Sequence, residues 1–151
     1  MLKDKKLALF FSKGVSLRIW DRIGSINREI RPYNELAKYF KEIYFITYGD
    51  KSELNYKKLL AENIKILFRK FPISAEFYQF LIPFVYLLKL RKVDIYKTNQ
   101  MVSVVPALIL KILYKKPLVL RCGYEWFLNS QRVGSSFLKL KIIFLIEKNC
   151  L

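Results

Sequence analysis

Short, almost wholly apolar runs alternate along this chain with longer stretches in which apolar residues recur at helical spacing. Lys6 to Ser12 is a continuous apolar run closed by Ser-Lys-Gly, the pattern of a strand buried on both faces. Glu42 to Tyr48, halted by Gly49-Asp50, and Ile64 to Phe68 read as a second and third strand. Val93 to Thr98 and Pro117 to Arg121 read as a fourth and fifth. Between the first two, Gly14 to Asn27 carries two glycines and mixed polar residues and is expected to be a long loop, a length that in a compact domain accompanies function or motion. A helix follows from Ile26 or Pro32 to Phe40, with Pro32 in its first turn or kinking it.

Leu54 to Glu62 predicts a short amphipathic helix. Ser74 fits an N-cap, with Glu76 in the first turn of a long helix to Arg91 that Pro83 should kink. Ser103 fits the cap of a helix apolar nearly all round, from Val104 to Leu113, and such a helix must be buried or covered by a partner. Ser135 to the end is a further helix with a very apolar face. Strands alternating with helices predict an α/β fold: a Rossmann-like doubly wound parallel sheet in three layers with right-handed crossovers. At 151 residues the chain suits a single domain over 1–151. Its last apolar helix precedes a sixth strand that never arrives, so the sheet is expected to be cut short, as in a piece of a longer product or one half of a split enzyme.

Composition narrows the partners. Hydrophobic residues at 53% argue against disorder. A net charge of +16 favours anionic ligands: nucleic acid, acidic lipid surfaces or phosphorylated small molecules. The charge is uneven, since from Phe77 onward three acidic residues stand against twelve Lys and Arg. A solvated lysine-rich surface is the plain counter-reading. With no histidine anywhere, imidazole bases, His triads and His metal ligands are excluded. Cys122 and Cys150 match no metal or redox spacing, which points to a reducing, cytoplasmic setting. The run Leu7 to Phe11 is too short for a signal-peptide core, and the tract from Phe77 to Leu90 is interrupted and short of a span, so no transmembrane segment is expected. No helix-turn-helix, zinc or RNA-binding signature accompanies the charge, which disfavours nucleic acid.

In an open parallel sheet ligands gather beyond the carboxyl ends of the strands. The segment Val93 to Trp126 places Asn99, Gln100, Arg121, Gly123, Tyr124 and Glu125 at two such ends. Arg121 and Lys97 suit a phosphate or carboxylate, or else a surface ion pair. Asn99 and Gln100 suit hydroxyls, or else cap the next helix. Glu125 suits an acid, a base or a hydroxyl ligand, or else a solvated charge, and Tyr124 and Trp126 suit a platform for a sugar ring or ordinary packing. Common uses of the architecture fail: Gly14 and Gly24 are too far apart for a dinucleotide loop, no phosphate-binding GxxxxGK[ST] loop or GxSxG elbow occurs, and Phe11-Ser12-Lys13 replaces the acidic pair of a receiver domain.

Gly14, Ser16, Leu17, Trp20, Gly24, Arg28, Glu29 and Tyr33, taken with Asn99-Gln100 and Arg121-Cys122-Gly123-Tyr124-Glu125, resemble the amino-terminal domain of GT-B-fold retaining glycosyltransferases of family four. The resemblance covers nearly the whole chain. It implies a sugar-acceptor domain that faces a carboxyl-terminal, nucleotide-sugar-binding domain, fused or separate, across a cleft. It implies substrate contacts from Gly14, Ser16, Arg28, Asn99, Gln100, Arg121, Gly123, Tyr124 and Trp126, with Glu125 the best catalytic candidate. No metal or resident cofactor is implied, the donor being held mainly by the other domain, and the acceptor would be a glycan or lipid-linked sugar. The family's histidine after the fifth strand, its paired glycines in the first loop and its paired-glutamate donor signature have no counterpart here. Alone, such a chain is expected to be inactive, located in the cytoplasm or peripherally on the inner face of the cell membrane. The alternative is a non-catalytic basic module for anionic membranes or other anionic ligands.

Overall fold

A computed structural model describes residues 2–121 and 130–150. Five strands, β1 (Lys6–Phe10), β2 (Glu42–Ile46), β3 (Ile64–Leu67), β4 (Ile95–Thr98) and β5 (Leu118–Val119), form one all-parallel sheet in the order β3-β2-β1-β4-β5. The expected α/β, Rossmann-like, three-layer architecture is what the chain adopts. β1 lies at the centre, paired on both edges, and its Leu7, Ala8, Leu9 and Phe10 are all buried. Its side chains alternate between two cores. Leu7 and Leu9 join Phe11 on the face covered by α1 (Leu17–Arg22) and α2 (Ile26–Ala37). Ala8 and Phe10 join the face covered by α3 (Ala75–Val85), α4 (Leu87–Leu90) and α5 (Val104–Tyr114). A last helix, α6 (Phe137–Cys150), occupies the stretch predicted from Ser135 onward.

The strands are shorter than their apolar runs, and β5 keeps only two residues of the five-residue run from Pro117 to Arg121. Its partner β4 pairs it at Tyr96↔Leu118 and Lys97↔Val119 alone. The expected long loop from Gly14 to Asn27 is instead mostly helical, and a buried carboxylate explains why. Glu53, fully buried, accepts from the backbone N–H of Leu17 at 2.8 Å and of Arg18 at 3.2 Å, satisfying donors that a helix start leaves without partners. Ser16 Oγ accepts from Ile19 N at 3.2 Å as the N-cap. Gly24 at φ 69° closes the helix, with Ser25 N donating back to Trp20 O at 2.8 Å, an arrangement that only a left-handed residue allows cheaply.

Glu53 reaches inward because its own segment is not the predicted α-helix. Asp50 Oδ1 accepts from Ser52 N at 2.8 Å and opens a 3₁₀ stretch over Lys51–Leu59. Gly49 must lack a side chain there, since a Cβ would lie 2.4 Å from the Glu53 carboxyl carbon. Pro32 sits inside α2 rather than in its first turn. The predicted helix from Ser74 to Arg91 breaks at Tyr86, three residues after Pro83, where the buried tyrosine donates its hydroxyl to the Phe68 carbonyl. Neither Ser74 nor Ser103 caps its helix by side chain; Ser103 Oγ turns back three residues, accepting from Gln100 N at 3.3 Å. Nor is α5 enclosed all round: Val104, Pro106, Ala107 and Leu110 are buried while Ile112 and Leu113 are exposed.

At the amino edge of the sheet, Glu42 pairs with Lys6 Nζ at 2.6 Å and with Lys65, and accepts from Tyr44 Oη at 2.7 Å, tying β1, β2 and β3 together. The lysine contacts hold its carboxyl down at about 2. A depressed carboxylate stabilises the fold fully above its unfolded-state value and loses that contribution as pH falls through its folded value. Acid titration followed by circular dichroism therefore shows stability declining from about pH 4.5 toward 2, and Glu42→Gln flattens that decline. Glu53→Ala, which orphans two helix N–H groups, costs about 2–3 kcal/mol in urea unfolding, with Glu53→Gln recovering part of the loss.

Candidate functional site

The chain order in the sheet reverses between β1 and β4: β2 and β3 extend to one side and β5 to the other. The segments that leave the carboxyl ends of β1 and β4 therefore part, and a crevice opens between them, the place where doubly wound sheets hold ligands. Asn99, the residue after β4, is buried, and its N–H donates to Phe10 O at 2.8 Å, locking it beside the end of β1. Arg121, just past β5, is anchored twice. Its backbone N–H donates to Thr98 Oγ1 at 3.2 Å, and its Nη1 donates to Asn99 Oδ1 at 3.4 Å.

Helix α2 supplies the facing wall. Glu29 Oε1 pairs with Arg28 Nη2 at 3.2 Å, and Glu29 Oε2 lies 3.8 Å from Arg121 Nη1. With Tyr33, Lys97, Pro32 and Leu36 these residues line an open cavity of about 490 Å³. Among the described residues three cations there face one carboxylate. Burial pushes the Lys97 ammonium below its usual range, and the Arg121 charge pushes it further, so positive charge is crowded in a partly desolvated place. An anion entering the cavity relieves that crowding. Burial raises the Tyr33 phenol to about 12, so at neutral pH it remains a hydrogen-bond donor. Cations for a phosphate or carboxylate, a phenol for a hydroxyl, and an apolar wall of proline and leucine together suit a small hydroxylated anion.

Of the residues singled out in the sequence, Arg28, Asn99 and Arg121 come together here, and Lys97 with them. Gln100 stands at the same sheet edge, where it forms a capping box with Ser103 at the start of the following turn. Gly14 follows β1 at that edge with φ 78°. Ser16 does not face the cavity: it is buried, and its hydroxyl is committed to capping α1. Gly123, Tyr124, Glu125 and Trp126 lie outside the described residues. Glu29 and Tyr33 entered the sequence reading only through the family likeness, and Pro32 and Leu36 were not chosen as site residues. Their spacing with Arg28 marks one face of a helix, a signal that becomes useful once the strand opposite that face is known. No protein-family model matches this chain, and neither does any curated protein or solved structure.

Inorganic phosphate titrated calorimetrically at low ionic strength is expected to bind in this cavity. Arg121→Ala should weaken it by about tenfold to a hundredfold, the worth of a charge-assisted hydrogen bond. Glu29→Gln should strengthen it, because the carboxylate that now competes for Arg28 and Arg121 is gone.

Proposed function

We propose that this chain is the acceptor-binding domain of a retaining glycosyltransferase, holding an anionic sugar or sugar-phosphate acceptor against β4, β5 and α2. The observation that carries the reading is the anchored Arg121, held by Thr98 and Asn99 and aimed with Arg28 and Lys97 into one crevice at the switch point of the sheet. The family likeness noted in the sequence supports the same assignment, since its two segments flank this crevice. In this reading the cations grip the acceptor's charged group, Tyr33 orients a hydroxyl and Asn99 holds Arg121 in place. A second Rossmann-like domain, continuous with this one or on another chain, holds the nucleotide-sugar donor and closes over the crevice. Retention then proceeds at the interface of the two, with the proton of the attacking hydroxyl passing to a donor phosphate oxygen or to a carboxylate. Glu125 is the carboxylate proposed for that place.

Glucose 1-phosphate, glucose and inorganic phosphate, titrated separately and followed by backbone amide NMR, test acceptor recognition. The sugar phosphate is expected to bind at least tenfold tighter than phosphate alone and to shift the amides of Asn99, Arg121 and Tyr33. Equal affinity for the sugar phosphate and for bare phosphate would reduce the crevice to an anion site and overturn the acceptor assignment.

A further inference from the structure

Helix α3 is apolar on both sides. Tyr78 and Ile82 face the sheet, while Phe77, Phe80, Leu81 and Phe84, followed by Leu88 of α4, form an exposed stripe at helical spacing; Phe77 is 72% exposed and Leu88 68%. An outer stripe with this many phenyl groups is not what a solvated helix carries. We propose that the α3–α4 face docks on an anionic lipid bilayer, its phenyl and leucyl side chains entering the acyl region and the adjacent lysines and arginines meeting the headgroups.

Charge decides the occupant. Lys89, Arg91 and Lys92 are all exposed at the end of α4, and Lys116 from the end of α5 donates to the carbonyls of Arg91 and Val93, bringing its cation to the same place. The two acidic groups nearest in sequence are already engaged: Glu76 pairs with Lys13 at 3.2 Å and Asp94 with Lys5 at 3.2 Å. Beside the stripe a cavity of about 450 Å³ is walled by Phe68, Phe84 and Leu88, with exposed Lys70 and Lys89 among its lining. Aromatic and leucyl side chains on one surface, framed by exposed cations, match an interface that is apolar within and negative at its boundary. No described helix is long and apolar enough to cross a membrane, so the contact is peripheral. The sugar-transfer reading is not needed for it, since the crevice lies on the α2 side of the sheet and stays open when the opposite face is docked.

Co-sedimentation of the chain with vesicles of phosphatidylcholine, alone or mixed with phosphatidylglycerol, tests the proposal. Binding is expected only to the mixed vesicles and to weaken with salt. Lys89→Glu with Lys92→Glu should reduce it by about fivefold or more for each cation reversed. Phe77→Ser with Phe84→Ser, at exposed positions that leave the thermal melt unchanged, should reduce it by at least tenfold. Equal binding to both vesicle types, no binding to either, or indifference to the phenylalanine exchanges would overturn the proposal. Self-association in sedimentation velocity that the phenylalanine exchanges abolish, without vesicle binding, would overturn it in favour of a second copy of the chain.

Discussion

The burial of β1 on both faces and its pairing on both edges constrain everything else in this molecule. A strand enclosed in this way has no polar side to turn outward, so helices must cover both faces of the sheet. With β2 on one edge and β4 on the other, the chain order must also reverse beside β1. The reversal makes the crevice, and the register of Phe10 opposite Thr98 fixes where its floor lies. Asn99 and Arg121 then take their places through the bonds of their backbone N–H groups to Phe10 O and Thr98 Oγ1 on that floor.

How much of this was legible in the sequence follows the range of the interactions. Strands and their order of appearance are local hydrophobic patterns, and all five were readable. The helix at Leu17 was not, because its start is stabilised by Glu53, thirty-six residues away. Neither end of that contact carries a local signature: a glutamate among lysines reads as solvated, and Gly49 reads as a strand terminator when its second role is to leave room for the Glu53 carboxyl. The cavity wall from α2 was hidden for the same reason. Arg28, Pro32 and Leu36 share a helix face in the sequence, but only the placing of that face opposite Lys97 and Arg121 reveals that it borders a ligand-sized space.

The charge also resolves into distinct places. The net charge of +16 looked like a single property of the surface, yet the structure separates cations that are spent from cations that are available. Lys6 and Lys65 are consumed at Glu42, and Lys57 donates to three carbonyls at the end of its own segment. Among the described residues Arg28, Lys97 and Arg121 share the carboxylate of Glu29 in the crevice, while Lys89, Arg91 and Lys92 gather at the end of α4.

These two unspent groups differ in what surrounds them, and that difference separates their chemistry. In the crevice Arg121 is tied to Thr98 and Asn99 and Lys97 is half-buried, so the cations converge on one small space that a compact anion fits better than a diffuse one. On α4 the side chains are exposed and their ammonium groups adjustable, a poor trap for one phosphate but well suited to many headgroups presented together on a plane. The apolar stripe beside them adds the term that a soluble anion cannot satisfy. With one group on the α2 side of the sheet and the other on the α3–α4 side, a chain resting on a bilayer through α3–α4 would keep the crevice turned away from the lipid. Any lipid-linked acceptor would therefore have to present its head to the crevice from the rim of the domain, beyond the carboxyl ends of β4 and β5.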